Sequence, residues 1–169
     1  MQNVRAMQVT WPHSARNKAQ YVARLEETRS ILVDTRNYVL LRRFSAKEQS
    51  RRLIAAPLLA KDWKSPLVGL ENHLNYVYRR GGDLSEFEAY GLAALFNSLL
   101  IDIYFRTSNG NTQVSATEIR SLPLPDMEII VEIGRRCLAR NPSEIEVDQI
   151  VSEVCDWRAL KDSPHEESN

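Results

Sequence analysis

The stretch NGNTQVSATEIRSLPLP, residues 109–125, combines a turn, a helix start and a proline-stiffened exit. The Asn-Gly-Asn at 109–111 is a predicted turn, since Asn and Gly tolerate positive φ. Ser115 is a predicted N-cap, and Glu118 three residues later completes a capping box. A short helix is therefore expected over about 116–121, and the closing Leu-Pro-Leu-Pro should leave it as an extended segment.

The apolar segment upstream of this stretch also opens on a capping signal. Ser85 with Glu88, or Asp83 with Glu86, can form a capping box for a helix that reaches about Phe105. Apolar residues then recur at helical spacing, with alanines between them that permit close approach. This helix is the predicted centre of the core. Its expected buried stripe comprises Leu92, Phe96, Leu99, Leu100 and Ile103.

Three strands are predicted before that helix. Residues 37–44 and 51–58 are rich in Val, Leu, Ile and Tyr and flank the polar linker SAKEQS, which indicates a hairpin. Pro57 cannot donate a ladder hydrogen bond, so the second strand should lie at a sheet edge or end there. A third strand is expected over about 73–80. Its alternation assigns Leu74, Tyr76 and Tyr78 to the core face and His73, Asn75, Val77 and Arg79 to a polar face.

The two ends of the chain are predicted to be helical. Ser14 can cap a helix over about 15–32, and residues 126–140 are amphipathic. After the break at Asn141-Pro142, Ser143 can cap a second amphipathic segment, which predicts a C-terminal helical hairpin. The fold class is therefore α+β: a small antiparallel or mixed sheet packed on a long central helix, with an N-terminal helix and a C-terminal helical hairpin.

Composition limits the class of protein. A chain of 169 residues with 43% hydrophobic residues suits one ordinary core. Cys137 and Cys155 are the only cysteines, and their spacing fits neither a disulfide framework nor a zinc site, so reduced buried thiols are expected. No apolar run is long enough to span a membrane and no secretory signal opens the chain, so we expect a soluble, intracellular protein.

Charge is divided between the two halves of the chain. Residues 1–80 hold 15 Lys and Arg against 6 Asp and Glu, whereas residues 81–169 hold 7 against 16. The basic half is where a polyanion would bind. The alternative is that the halves neutralise each other within the fold or across a dimer.

Basic residues concentrate in the predicted hairpin, at Arg42, Arg43, Lys47, Arg51 and Arg52. Next to DNA they would contact phosphates, which gives affinity and salt dependence without sequence information. Neighbouring strand residues point to opposite faces, so Arg42 and Arg43 cannot both face one ligand unless a bulge intervenes.

The third strand supplies candidates that could read base edges. Asn pairs well with adenine and Arg with guanine in the major groove, so Asn75 and Arg79, together with His73, are the predicted base or backbone readers. A merely solvated sheet face is the alternative interpretation.

Four stretches occur in an order that resembles a known protein family. NYVLLRRFSAKEQSRRLIAAP (37–57), GLENHLNYVYRR (69–80), FNSLLIDIYFR (96–106) and the stretch 109–125 are similar to the C-terminal target-recognition region of adenine-N6 DNA methyltransferases of restriction-modification systems. The TaqI-like and PstI-like enzymes resemble it most, and type I specificity subunits carry a looser version of the final stretch. The resemblance covers about 37–125.

The resemblance implies sequence-specific recognition of double-stranded DNA, as the specificity part of such a methyltransferase. It implies a recognition domain over 1–125, braced by a helical hairpin at 126–160, with a disordered tail at 161–169. Asn109, Asn111 and Gln113 are carried over as possible DNA contacts. The expected partners are DNA and a methyltransferase catalytic domain or subunit, with a homodimer as a further possibility, in the cytoplasm of a bacterial or archaeal cell.

The residues that such enzymes use for catalysis are not found in this sequence. Adenine-N6 methyltransferases carry an Asn/Asp-Pro-Pro-aromatic tetrad, and the nearest match, residues 141–144, lacks the second proline and the aromatic residue. There is no glycine-rich loop of the kind that binds nucleotides, and three scattered histidines disfavour a metal triad. We therefore expect no catalysis by this chain alone, and S-adenosylmethionine only on a separate catalytic domain. The alternative function is a protein assembly or dimerisation module without nucleic-acid binding.

Overall fold

Capping residues and short β-rich runs, most of them visible in the sequence, set the boundaries of the elements. The computed structural model describes residues 3–12, 19–140 and 142–155, and its fold is α+β. The strands are β1 (Val4–Arg5), β2 (Gln8–Val9), β3 (Leu32–Asp34), β4 (Tyr38–Arg42), β5 (Ala55–Leu58), β6 (Leu67–Gly69) and β7 (Leu74–Val77). The helices are α1 (Glu86–Asn97), α2 (Leu99–Ser108), α3 (Ala116–Arg120), α4 (Met127–Arg140) and α5 (Glu144–Cys155).

The central sheet is antiparallel, with strand order β5-β4-β7. β4 pairs with β5 as the predicted hairpin, in a register that sets Val39 opposite Pro57. β5 lies at an edge of this sheet, as expected of a strand that contains a proline. On its other side β4 pairs with β7, so the third predicted strand is confirmed.

The two faces of the sheet are covered differently. Val39 and Leu41 face α1 and belong to the main core, which also includes residues of α4 and α5. Tyr38 and Leu40 point the other way, into a smaller cluster covered by the β1–β2 hairpin and the β3–β6 pair. β4 is thus buried on both sides, which explains its nearly continuous apolar sequence.

The predicted faces of β7 are reversed in the structure. Val77 packs against the main core, and Asn75 lies on the same side, opposite Leu41. Tyr76 and Tyr78, expected in the core, are 41% and 44% exposed. Alternation alone could not decide the faces, because β7 carries an apolar residue on each side.

The long central helix is broken at Ser98. Ser98 is extended, with φ −70° and ψ 149°, and its side chain caps α2 by accepting a hydrogen bond from the Ile101 N–H. Asp148 of α5 also accepts from the first N–H of α2, that of Leu99, at 2.6 Å. The break turns Leu99 and Ile103 outward, where they are 45% and 55% exposed, so their prediction as core residues was wrong.

The predicted N-terminal helix is absent from the described part of its range, residues 19–32. That segment is irregular and contains one short 3-10 helix at Arg29–Ile31, with Tyr21 and Leu25 largely exposed. The helical spacing of its apolar residues was therefore misleading. Ser14, the start of that range at 15–18, and the predicted tail, 161–169, lie outside the described residues.

The later helices agree with their capping signals. Ser85 and Glu88 form the capping box of α1, and Ser115 and Glu118 form that of α3. Ser143 and Glu146 are hydrogen-bonded at the start of α5, as the predicted cap requires. α4 and α5 pack on each other and on α1, which agrees with the predicted helical hairpin.

Candidate nucleic-acid interface

The loop that precedes α3 is attached to the end of the central sheet. Gln113 forms an isolated antiparallel bridge with Phe44, and the Val114 N–H donates to the Arg43 carbonyl at 2.7 Å. The Asn75 side chain donates to the Val114 carbonyl at 2.8 Å. The turn predicted at 109–111 was wrong: Asn109 is extended, with φ −135° and ψ 116°, and Gly110 does not have a positive φ. The segment that follows runs along the end of β4.

A buried arginine supports this loop from below. Arg52 is 2% exposed, and its guanidinium donates to the Asn111 carbonyl and lies 5.6 Å from the centre of the Phe105 ring. Its backbone N–H donates to the buried carboxylate of Asp102 at 2.5 Å. Arg52 therefore holds the loop in place and is shielded from a phosphate.

Arg43 and Gln113 form a pair on the outer side of the loop. The guanidinium of Arg43 donates from Nη2 and Nε to the side-chain oxygen of Gln113, at 2.9 and 3.1 Å. This amide orientation follows from chemistry, because a guanidinium has donors only. Arg43 Nη1 also donates to the Asn72 carbonyl at 3.2 Å.

Two rings lie beside this pair. The Phe44 ring is 39% exposed, and its centre lies 5.6 Å from that of the exposed His73 ring. His73 Nδ1 lies 3.6 Å from a carboxylate oxygen of Glu71. We refer to Arg43, Phe44, His73, Asn111 and Gln113 as the strand-end surface.

The linker between β4 and β5 is fixed next to this surface. Arg106 donates to the carbonyls of Lys47 at 3.0 Å and Gln49 at 2.6 Å, and Asp102 accepts from Arg106 Nε at 2.6 Å. The Lys47 side chain is exposed and has no hydrogen-bond or ion-pair partner among the described residues. Sequence reasoning missed Arg106 and Asp102, although an acid and a base four positions apart on a helix were a usable signal.

Three other predicted DNA contacts are engaged away from the strand-end surface. Arg42 Nε donates to the Val4 carbonyl at 2.7 Å, and burial lowers the pKa of its guanidinium. Arg51 forms a 2.6 Å ion pair with Asp148. Arg79 pairs with the Glu88 carboxylate at the start of α1.

Asn109 and Asn75 serve the architecture of the loop. The Asn109 amide donates to the Glu118 carboxylate at 2.9 Å and to the Ser108 carbonyl at 3.2 Å. The Asn75 amide donates to the Val114 carbonyl of the loop, and it lies on the face of β7 opposite to the exposed Tyr76. Of the predicted site residues, the structure thus brings Arg43, His73, Asn111 and Gln113 together on one surface.

Part of the charge difference between the two halves is neutralised within the fold. Arg51, Lys61 and Arg79 each pair with an acidic residue of the second half, and Arg36 lies 3.9 Å from Asp83. This supports the interpretation that the halves neutralise each other for these side chains. Lys47 takes no part in this pairing with acidic residues of the second half.

A groove between α2 and α5 forms a second notable surface. It has a volume of about 530 Å³, and its lining includes the apolar Leu99 and Ile103 and the acidic Asp148 and Glu153. The groove is lined by the first half of α2, whereas the loop of the strand-end surface follows the C-terminal end of that helix. We refer to this feature as the α2–α5 groove.

Residues 3–12, 19–140 and 142–155 hold neither a metal-ligand cluster nor a membrane-spanning helix. No group of three or more His, Cys, Asp or Glu side chains there could hold a metal ion. No helix in these ranges has the length and apolar content needed to cross a bilayer.

Comparison with known proteins places the chain next to two methyltransferases. It is 35% identical over 139 residues to the type II methyltransferase M.BsuBI of Bacillus subtilis. The matched region covers 81% of this chain and 28% of that protein. It is 33% identical over 152 residues to the type II methyltransferase M.PstI of Providencia stuartii, which covers 90% of this chain and 30% of that protein. No family model and no solved structure matches the chain. Most of the chain is therefore similar to these two type II methyltransferases, and it spans less than a third of the length of either one.

Proposed function

We propose that the chain recognises a specific sequence in double-stranded DNA, as the specificity part of an adenine-N6 methyltransferase of a restriction-modification system. The similarity to two type II methyltransferases over most of the chain supports this role. We assign recognition to residues 1–125, braced by the helical hairpin of 126–160. In support of the bracing role, α4 and α5 share the main core with α1.

The observation that carries the proposal is the pairing of Arg43 with Gln113 beside His73. These residues come from a strand end, a distant loop and the start of another strand, yet they lie together on an exposed surface. Arg, Gln and His are side chains that hydrogen-bond to base edges or phosphates. The surface is supported by backbone pairing and by buried Arg52, and such rigidity is what base discrimination requires.

Phosphate contacts would come from basic side chains without an internal partner. Lys47 meets this condition next to the strand-end surface, and Arg80, exposed in the turn after β7, also has no partner among the described residues. Arg42, Arg51 and Arg52 are occupied within the fold and would contribute to DNA binding through the shape of the surface.

Methyl transfer would take place on another part of the enzyme, which would bind S-adenosylmethionine and the flipped adenine. We propose that this catalytic part contacts the α2–α5 groove. Exposed apolar side chains and acidic residues make the groove unsuitable for DNA and suitable for a protein surface. The catalytic part corresponds to the roughly 70% of the relatives that the chain does not match.

The groove also favours a second candidate function, an assembly module with no nucleic-acid role. Under that hypothesis the exposed Leu99 and Ile103 would meet a partner protein, and the strand-end surface would only be solvated. The two functions differ in whether the purified chain binds DNA.

The deciding experiment is selection from a random-sequence duplex pool by the purified chain, at low and at moderate salt, with sequencing of the bound DNA. Enrichment of a short motif supports the proposed function. Salt-sensitive binding without enrichment contradicts sequence recognition by this chain. Absence of binding at both salt concentrations overturns the proposal in favour of the assembly module.

A further inference from the structure

The chemistry of the Gln113 side chain is restricted by its contact with Arg43. A carbonyl oxygen has two lone pairs, and Arg43 donates to the Gln113 oxygen twice, from Nη2 and from Nε. What remains for a ligand is the amide nitrogen with its two hydrogens. Gln113 therefore presents donors without an available acceptor.

This restriction excludes the usual contact between glutamine and adenine. That contact needs an acceptor for the adenine N6 amino group as well as a donor for N7. Guanine presents two neighbouring acceptors in the major groove, N7 and O6, which match the two amide hydrogens. Thymine presents one acceptor, O4, beside a methyl group, and cytosine presents an amino donor that would face the Gln113 amide. We propose that Gln113, oriented by Arg43, selects guanine at one base pair of the recognised sequence. This inference rests on the proposed function and adds the base class read by one residue.

Arg43 acts as a positioning residue in this arrangement. Each of its three nitrogens already has an internal acceptor: the Gln113 oxygen for Nε and Nη2, and the Asn72 carbonyl for Nη1. The Asn72 carbonyl precedes His73 and belongs to the turn before β7, so the guanidinium links that turn to the loop. A single-point ammonium cannot reproduce this fork.

The first test compares the wild type with Gln113→Glu in the random-duplex selection. Glutamate keeps the side-chain length and gives Arg43 a carboxylate to bind, but it has no donor for a base. We expect loss of a guanine preference at one position, by roughly fivefold to a hundredfold, with the remaining motif intact. Gln8→Glu on β2 introduces the same chemical change at an exposed position outside the strand-end surface and the α2–α5 groove, and it should leave the motif unchanged.

Replacing that guanine with 7-deazaguanine provides a second readout, because it removes only the N7 acceptor. The substitution should weaken binding by the wild type and leave binding by Gln113→Glu unchanged. Arg43→Lys should free the Gln113 carbonyl, so that the same position accepts adenine as well as guanine. A positioning role predicts this change of base preference, whereas a phosphate contact predicts uniform weakening.

The outcomes separate the two proposals. A wild-type motif that is unchanged in Gln113→Glu, or a preference lost at an A·T pair, overturns the guanine assignment and leaves the proposed function standing. Failure of the wild type to enrich any motif overturns both.

Discussion

Gly91 of α1 and Gly134 of α4 lie where the backbones of the two helices touch. A Cβ atom on Gly91 would be 1.9 Å from the Ile130 carbonyl oxygen, and one on Gly134 would be 1.8 Å from the Phe87 carbonyl oxygen. Both obstacles are backbone atoms, which cannot rotate away. Glycine at these positions sets the distance between α1 and α4 and thereby the position of the helical layer under the sheet.

Gly134→Ala should therefore destabilise the protein by about 3 kcal/mol, at the upper end of the usual cost of overpacking. Alanine favours a helix by roughly 1 kcal/mol over glycine, which is too little to offset the clash. Urea unfolding followed by circular dichroism measures the difference. Gly110→Ala is the matched control, because a Cβ there meets nothing within 4 Å. Equal stability of the two variants would show that α1 and α4 can separate at little cost.

The elements that the sequence predicted correctly are those determined by nearby residues. The capping boxes of α1 and α3 depend on side chains three positions apart, and both formed as expected. The break at Ser98 was missed because part of it comes from Asp148, which is distant in the sequence and caps α2 from α5. Asn97 and Ser98 do interrupt the apolar run, and serine is a preferred N-cap, but the contact from Asp148 has no local signal.

The candidate site shows the same difference between features set by nearby residues and features set by distant contacts. Arg43 and Gln113 were each named from the sequence, but their pairing depends on how the loop crosses the sheet end, which no spacing encodes. The density of arginines in the hairpin was misleading in a different way. Arg51 and Arg52 are adjacent in the sequence, yet one guanidinium pairs with α5 and the other is buried under the loop. Charge content cannot distinguish a free arginine from an engaged one.

Lys47 should contribute to affinity for every duplex, independent of sequence. Lys47→Ala removes one phosphate contact, so the slope of log K against log salt should fall by about 0.9. Titration of a labelled duplex at four or five salt concentrations gives the slope. Lys61→Ala is the control, since Lys61 Nζ lies 2.5 Å from a Glu86 carboxylate oxygen and is already paired. An unchanged slope for Lys47→Ala would exclude this side chain from the DNA contact.

Cys137 should make stability fall at alkaline pH. Burial raises the pKa of its thiol from 9.0 to about 11, so the unfolded chain loses this proton at lower pH than the folded protein does. The stabilisation is complete below pH 9.0 and is lost as the pH rises towards 11. The loss should be about 2 kcal/mol.

Chemical unfolding at pH 8 and pH 10.5 measures this loss, and Cys137→Ala isolates the contribution of the thiol. The variant should be less stable at both values, because its cavity is not filled, but its stability should change less between them. The raised pKa values of Tyr38 and Cys155, which burial also causes, remain in both proteins and cancel in the comparison. The pKa of Tyr90 is raised mainly by burial and to a lesser extent by the charge of Cys137, so most of its contribution cancels as well. Parallel pH profiles would contradict the assignment to Cys137.

Ile103 should matter for partner binding and little for folding. Its side chain is 55% exposed in the α2–α5 groove, so Ile103→Ser should change the unfolding free energy by no more than about 0.5 kcal/mol. If the catalytic part of the methyltransferase binds this groove, the substitution should weaken that association at least about tenfold, as expected for an apolar residue at the centre of an interface. Isothermal titration of the purified catalytic part against the wild type and the variant measures the effect.

Ile31→Ser makes the same change at a side chain that is 58% exposed and outside the groove, and it should bind like the wild type. Equal affinity of all three proteins would remove the groove from the proposed interface. If instead the wild type self-associates and Ile103→Ser abolishes that association, the groove binds a second copy of the chain.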